Sequence, residues 1–441
     1  MCGIFGIFNA RKAAELAVIG LHGNQHRAID YAGMVSSDGV HMYRESGAGI
    51  ARQVFTKAML DRLHGKHALG HLRYPTVNDD PRRDNTQPIV GRYGGNPTAI
   101  AHNGNITNLQ ALRARFPDVA LSTSMDTEYI LRILELVDTG DIRADLQNVF
   151  SELEGSFALG ILLPEMLIAV RDKSGNRPLS IGKFEQGFCI SSEDCVFPNL
   201  GATSVMEVKP GTMVLIDIGG IEVVRFAEAE EKKCRFEGIY YSHPSSIVFG
   251  EDVTQFRLAV GRKLEELFPV PNADLVTAVP DSSTLIALGY GESGRSGKYH
   301  PVIFRNHYVG RTFIAATEAK RDIAVSQKYT FSATGIAEKI VVIVDDSIVR
   351  GPTSSKIVRK FRELGAREIH LRIGSPPNKH PCRYGINMPT SEELLASYMT
   401  EDEMCVWIGA DSLEFLPLEV LKGLSSSPEN FCFACMDGKY W

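Results

Sequence analysis

Ile340 to Lys356 reads IVVIVDDSIVRGPTSSK, and the fold of the second half of the chain turns on how this stretch is read. Val341 to Val344 form a short continuous run of β-branched residues, as in a parallel strand buried on both faces. Asp345 and Asp346 end the run. Ser347, Ile348, Val349, Arg350, Gly351 and Thr353 then mark a loop, and Ile357, Phe361 and Leu364 recur at helical spacing until Gly365 closes a helix. A loop leaving the carboxyl end of a parallel strand for a helix amino terminus presents backbone N–H groups and a positive dipole end to an anion, so phosphate is the expected ligand. Asp345 and Asp346 would repel a phosphate they faced, and suit instead Mg²⁺ or a pair of sugar hydroxyls beside it. The pattern predicts a site for a phosphorylated sugar. A plain turn uses the same residue types. An NTPase would need G-x-x-x-x-G-K-[ST], and GESGRSGKY at Gly291 to Tyr299 has five residues between its outer glycines and a tyrosine in place of the hydroxyl.

DDSIVRG after an apolar strand resembles the phosphoribosylpyrophosphate (PRPP) loop of type I phosphoribosyltransferases. With Thr353 and Ser354 beyond it, the loop resembles that of the glutamine PRPP amidotransferases.

A chain of 441 residues holds two or three domains, and 44% hydrophobic with 23% charged residues is ordinary globular composition. No apolar run approaches the ~20 residues of a membrane span. The start, MCGIFGIFNARK, has its basic residues after the apolar ones, unlike a signal peptide, so a cytoplasmic setting is expected. A net charge of −6 argues against nucleic acid as a partner.

Gly3 to Phe8 alternates glycine with large apolar residues, as in a closely packed strand, and Cys2 stands directly before it. Once Met1 is removed, thiol and free α-amine belong to one residue, and an amine titrating near pH ~8 can act as base for its own thiol. On position alone Cys2 reads equally as a small apolar residue at a chain end. Three further stretches bear on it. His71 to Thr76 (HLRYPT) carries an arginine, and Ser124 to Glu128 opens a helix with an acid in its first turn. Ile100 to Asn108 (IAHNGNITN) ends a strand in Asn103 and Gly104, a side-chain amide and a backbone N–H of the kind an oxyanion needs.

In this order the stretches resemble the N-terminal-nucleophile glutamine amidotransferases. The resemblance implies Cys2 as nucleophile, Asn103 and Gly104 as oxyanion hole, and Arg73 and Asp126 on the glutamine carboxylate and amino group. Gln25 to Gly33 is similar to a further family motif that carries Arg27 over to the glutamine site, with Ala28 and Ile29 in place of Gly-Gln.

The charged run Glu228 to Lys233 reads as a solvated connector. The expected domains are 2–227 for glutamine, 228–425 for PRPP, and a tail at 426–441. Past the connector, FEGIYY at Phe236 to Tyr241 reads as a strand. Ala273 to Val279 is a second apolar strand, ending in a loop with Ser282 near the metal. RNHYVGRTFI at Arg305 to Ile314 resembles a family segment. The polar stretch from Ala315 to Lys339, with Lys328 at the family's lysine, corresponds to a lid over PRPP. Cys432-Phe-Ala-Cys435 alone is compatible with zinc, an iron–sulfur cluster, a redox pair or buried thiols. By resemblance, Cys234, Cys382, Cys432 and Cys435 fall where one subgroup of PRPP amidotransferases keeps the ligands of a structural [4Fe–4S] cluster.

The resemblance spans about residues 2 to 440. It implies an α+β N-terminal-nucleophile (αββα) sandwich followed by an α/β type I phosphoribosyltransferase domain. The implied partners are glutamine, PRPP and Mg²⁺, and a homo-oligomer is expected. The implied reaction frees ammonia from glutamine, passes it internally to PRPP, and yields 5-phosphoribosylamine, the first committed step of purine synthesis. Ala28-Ile29, Ser326-Gln327 and Pro352, which depart from the family pattern, motivate an alternative: a paralogue serving another pathway. A non-catalytic PRPP-binding iron–sulfur redox sensor is the alternative from a different class.

Overall fold

A computed structural model describes residues 1–74, 84–117, 119–185, 187–307, 328–388, 390–425 and 427–441. Pro75 and Thr76 of the HLRYPT motif, Ser326 and Gln327, and most of the RNHYVGRTFI segment and expected lid lie outside the described residues. The chain forms two compact units. One comprises Met1–Cys234, Ser246–Gly250 and Arg383–Asn387; the other comprises Arg235–Ser245, Glu251–Cys382 and Met388–Trp441.

The first unit is built on two antiparallel sheets. One contains β1 (Gly3–Phe8), β2 (Tyr31–Ser37), β3 (Met42–Ala48), β4 (His67–Arg73), β9 (Ser180–Phe184), β10 (Gly187–Ser191) and β11 (Thr203–Glu207), in the order β11-β9-β10-β1-β4-β2-β3. The other contains β5 (Ile89–Tyr93), β6 (Asn96–Ile106), β7 (Gly155–Leu163), β8 (Met166–Arg171), β12 (Thr212–Asp217) and β13 (Gly220–Arg225), in the order β13-β12-β8-β7-β6-β5.

Strand alternation sorts each strand's residues between two cores. Ile4 and Phe8 of β1 meet Ala99, Ala158 and Leu167 of the facing sheet. Phe5 and Ile7 turn the other way, onto Ala17 and Leu21 of helix α1 (Ala13–Gly23). On the outer face of the second sheet, Ile100, Phe157 and Leu159 pack on α2 (Asp126–Leu136) and α3 (Ile142–Ser151). The layers therefore run helix, sheet, sheet, helix. Gly6 permits the close sheet approach: a Cβ there would stand 3.1 Å from Leu167.

The expected connector lies along the first unit. Glu230 N donates to Lys173 O (2.8 Å), Lys232 N to Ser174 O (2.7 Å), and Cys234 N to Asn176 O (3.2 Å). Two short segments from later in the chain also belong here. Ile247 N donates to Asp194 Oδ1 (2.9 Å), and Tyr384 O accepts from Ser156 Oγ (2.7 Å) and Arg177 Nη2 (2.6 Å).

The second unit holds a parallel sheet of β14 (Leu275–Ala278), β15 (Lys298–Tyr299), β18 (Ile340–Asp345), β19 (Glu368–Ile373) and β20 (Ser412–Phe415), in the order β15-β14-β18-β19-β20. A separate antiparallel ribbon pairs β16 (Ile303–Arg305) with β17 (Tyr329–Phe331). Helices α4 (Val253–Leu267), α5 (Thr284–Tyr290), α6 (Pro352–Glu363) and α7 (Glu401–Ile408) complete the part used below. Every residue of the central strand β18 is buried, as its β-branched run requires. Ile343 is 0% exposed, so Ile343→Ala is expected to cost about 2–5 kcal/mol of stability, read as a lower urea midpoint at unchanged slope.

FEGIYY departs from the strand expected of it. Glu237–Tyr241 form a single wide helical turn, closed by Ser242 N donating to Glu237 O (2.9 Å). The turn brings Phe236 to 6.2 Å from Tyr240 and 6.0 Å from Tyr241, ring centre to centre, a clustering that an extended chain cannot make.

Candidate active site

In the first unit the sheet register sets two of the predicted glutamine-site residues side by side. Gly3 pairs with Leu72, so the next step of the same ladder sets Cys2 level with Arg73 at the end of β4. Arg27 is buried and donates from Nε to the carbonyl oxygen of Cys2 (2.9 Å). On β6, alternation carries the outer face from Ile100 to His102 and the inter-sheet face from Ala101 to Asn103. Asn103 is 1% exposed, and among the described residues its Nδ2 has no hydrogen-bond partner. An amide donor left unpaired in a protein interior is costly, and such a donor is suited to an acceptor that arrives with a ligand. Gly104 admits no side chain, because a Cβ there would fall 2.0 Å from Ser156 O.

Asp126 is the first residue of α2. Its Oδ2 accepts from Ile106 N (3.0 Å) and its Oδ1 faces His102 Nδ1 at 3.3 Å. Burial raises the Asp126 carboxyl, but His102 and the N–H groups of Ile106 and Thr127 outweigh it and hold it below the usual range. Burial likewise works against charge on His102; Asp126 prevails and the imidazole pKa is raised, with Cys2 acting in the same direction. The buried His71 is neutral, its pKa lowered by desolvation to about 3, and its Nε2 donates to His102 O (3.0 Å). The motif IAHNGNITN gives His102 no task of its own. Its place two residues beyond Ile100 on the α2 face was the available signal.

In the second unit, β14 and β18 lie parallel with Ala278 level with Val344, and the loops leaving them meet. Ser282 Oγ donates to Asp346 Oδ2, and Ser347 Oγ to Asp346 Oδ1 (2.6 Å). Asp346 N donates to Asp345 Oδ1 (2.9 Å). Both carboxyls are buried, at 8% and 4% exposure. Burial pushes Asp345 well above the usual carboxyl range, and Asp346 adds to it. Burial also raises Asp346, opposed by the Ser282 and Ser347 hydroxyls and the Arg257 guanidinium. Two adjacent carboxyls raised in this way form an oxygen site short of positive charge, the donor set of a hard cation.

Arg257 is a second residue the sequence reading missed. Its signal was a charge on the apolar stripe of α4, between Val253, Phe256, Val260 and Leu264. Gly351, at φ +88°, turns the loop into α6, whose first residue is Pro352 and whose end is closed by Ala366 N donating to Phe361 O (3.0 Å). Ile348 is buried in the core, Val349 O accepts from Leu395 N (2.9 Å), and Arg350 is paired with Glu393 (2.8 Å). Thr353 is exposed in the first turn of α6. Lys328 is exposed just before β17, and its charge lowers the Asp345 carboxyl.

Cys382, Cys432 and Cys435 belong to the second unit, and Cys234 ends the main segment of the first. Lys379 N and His380 N both donate to Cys435 O (2.9 and 3.0 Å), and Tyr440 OH donates to Pro381 O (2.6 Å). Arg235, next to Cys234 in sequence, stacks on Phe256 (3.7 Å) and on Phe431 (4.6 Å), which adjoins Cys432. None of the eight cysteines is in a disulfide. Among the described residues, no group of three or more His, Cys, Asp or Glu side chains is arranged to hold a metal ion. No helix among them is long and apolar enough to cross a membrane.

Residues 71–198 match the model of a glutamine amidotransferase domain family. The whole chain is 39% identical to the amidophosphoribosyltransferase of Bacillus subtilis, over 94% of that protein. It is 38% identical to that of Archaeoglobus fulgidus over 98%, and 39% identical to the chloroplastic enzyme of Glycine max over 78%. A solved structure described as the allosteric regulatory enzyme of purine biosynthesis superposes with a TM-score of 0.93 at 39% identity, covering 100% of this chain and 96% of that one. Glutamine PRPP amidotransferase from B. subtilis, complexed with ADP and GMP, superposes with a TM-score of 0.92 at 39% identity, covering 100% and 97%. Full-length agreement in sequence and backbone makes this chain a member of the amidophosphoribosyltransferase family.

Proposed function

We propose that the chain transfers the amide nitrogen of glutamine to PRPP, giving 5-phosphoribosylamine, glutamate and pyrophosphate, the entry reaction of purine synthesis. The observation that carries this reading is the buried Asp345–Asp346 pair bonded to Ser282 at the carboxyl edge of a parallel sheet, in a chain whose other unit carries Cys2 directly before its first strand. Met1 is buried, so its removal vacates space before Cys2 and frees the α-amine. That amine takes the thiol proton, and the thiolate attacks the glutamine amide carbon. Asn103 Nδ2 and Gly104 N–H donate to the developing oxyanion. The amine returns the proton to the departing ammonia, and water hydrolyses the thioester to glutamate. Arg73 and Asp126 bind the glutamine carboxylate and ammonium ends, and Arg27 serves the glutamine site through the Cys2 carbonyl that it holds.

Ammonia then displaces pyrophosphate from the anomeric carbon of PRPP. Asp345 and Asp346 hold the ribose hydroxyls and, with Ser282, would hold a Mg²⁺ ion, which would supply positive charge beside the pyrophosphate. Backbone N–H groups from Ser347 to Gly351 and of Thr353 hold the 5′-phosphate, and Pro352 has none to give. Lys328 faces the pyrophosphate. Cys234, Cys382, Cys432 and Cys435 would hold a [4Fe–4S] cluster in a structural role. The hydrogen bonds from Lys379 and His380 to Cys435 O support it, because they hold the chain just before Cys382 beside the C-terminal cysteine pair. We place the protein in the cytoplasm as a homo-oligomer.

Purified protein given glutamine, PRPP and Mg²⁺ is expected to release pyrophosphate and glutamate together; PRPP binding without turnover would overturn the reading in favour of a sensor. Rescue of a purine-requiring strain separates purine synthesis from a paralogous pathway. Asn103→Ala is expected to lower kcat for glutamate release about 10²–10³-fold while ammonium-driven amination of PRPP is kept.

A further inference from the structure

A nucleophile at the very start of a chain has no preceding residue to hold it, and chain ends fray unless tied down. Here the tie begins at the carbonyl of Cys2, which accepts from Arg27 Nε (2.9 Å). Arg27 is itself held by Glu193, whose Oε1 accepts from Arg27 Nη1 and from His26 Nε2 (2.8 Å), and whose Oε2 accepts from Ser246 Oγ (2.6 Å). Glu193 is 0% exposed, and a carboxylate so buried persists only when paired and hydrogen-bonded. It stays ionised: burial raises its pKa, but His26 and Arg27 outweigh burial and hold it far below the usual range.

The backbone sets Glu193 beside the chain start. Phe5 of β1 pairs with Ser191 of β10, Ser192 N donates to Ile4 O (3.0 Å), and Ile4 N donates back to Ser192 Oγ (2.9 Å). The next step of this ladder sets Glu193 level with Gly3. Asn24 adds a second clamp, donating from Nδ2 to Ser191 Oγ (2.9 Å). Ser191-Ser192-Glu193 thus runs along the first residues of β1.

We infer that Glu193 is a positioning residue for glutamine hydrolysis: it fixes the Arg27 guanidinium, and Arg27 fixes the backbone of Cys2 so that thiol and amine meet the substrate in one geometry. This rests on Cys2 being the nucleophile. Misplacing a reacting group by about an ångström can cost on the order of 10²-fold in rate without comparable loss of binding. Glu193→Gln keeps the shape and removes the charge that holds Arg27. The expected result is a glutamine-driven kcat about 10- to 100-fold lower, KM for glutamine within about threefold of the parent, and ammonium-driven amination of PRPP within about twofold. Ser246→Ala, which removes one bond to Glu193, is the milder variant should Glu193→Gln fail to fold, and is expected to lower the same kcat about two- to fivefold.

The inference is overturned by a parent-like glutamine-driven kcat in folded Glu193→Gln, by a loss carried in KM alone, or by a parallel loss of ammonium-driven activity. Parent-like turnover in Ser246→Ala overturns it where Glu193→Gln does not fold. Retention of glutamine-driven turnover in Cys2→Ala identifies failure of the underlying nucleophile assignment instead.

Discussion

Replacing Cys2 with alanine is expected to abolish glutamine-driven turnover, by about 10⁴-fold or more, while ammonium-driven amination of PRPP proceeds at the parent rate. The size of the effect follows from how much chemistry one residue carries. On the proposed mechanism the thiol supplies the attacking sulfur and the α-amine on the same residue moves the proton, so no neighbour can take over the nucleophile's part. Asn103 and Gly104 would still polarise a bound amide, but nothing would attack it. The second unit has its own core and its own sheet, and its reaction requires only that ammonia arrive, so ammonium salts at mildly alkaline pH bypass the lesion. Glutamate release and pyrophosphate release, followed in parallel, read the two halves separately. The mature protein should also weigh as a chain beginning at Cys2, because a retained Met1 turns the amine base into an amide. Persistent glutamate formation in Cys2→Ala would remove the basis for the nucleophile, the oxyanion hole and the role inferred for Glu193 at once.

What could be read from sequence was local. Val341 to Val344 make a strand buried on both faces because four β-branched residues in succession suit little else. Gly351, Pro352 and Gly365 bracket α6 because each is one of few residues that fit its backbone position. The motifs HLRYPT, IAHNGNITN and DDSIVRG were legible for the same reason, since each is carried on one short piece of backbone. What was not legible depends on partners distant in sequence. Glu193 reads as an ordinary acid after two serines until the β1–β10 register brings it to Gly3 and Ser246 arrives from 53 residues further on. Gly385 shows no purpose until its backbone, at φ +102°, backs onto Gly104, leaving only 2.8 Å between a Cβ and the Gly104 carbonyl. FEGIYY has strand composition, and ring clustering in the folded state overrode that propensity.

Asp345→Asn is expected to lower both glutamine- and ammonium-driven synthesis about 10²–10³-fold, in contrast to the selective loss in Cys2→Ala. The asparagine still accepts from Asp346 N through its side-chain oxygen, so the loop conformation survives while the charge is lost. The same substitution should stabilise the metal-free fold, and the sign follows from the pKa. Burial first, and Asp346 second, raise the Asp345 pKa above its ordinary 3.8, so the folded state binds this proton more tightly than the unfolded chain does. Stability associated with the protonated group is complete below the unfolded pKa and is lost as pH rises through the folded one. Above the unfolded pKa the parent therefore folds with either a buried charge or an extra bound proton, a penalty that Asp345→Asn lacks. Bound Mg²⁺ with PRPP would offset that penalty, so the parent should gain thermal stability on adding both, by more as pH rises from the unfolded pKa toward the folded one. The variant should start higher in Tm and gain little. A variant less stable than the parent without metal, yet equally stabilised by Mg²⁺ and PRPP, would show that Asp345 braces the loop and does not bind the substrate. The raised carboxyl would then be a feature of packing, and the phosphorylated sugar would have to be held elsewhere.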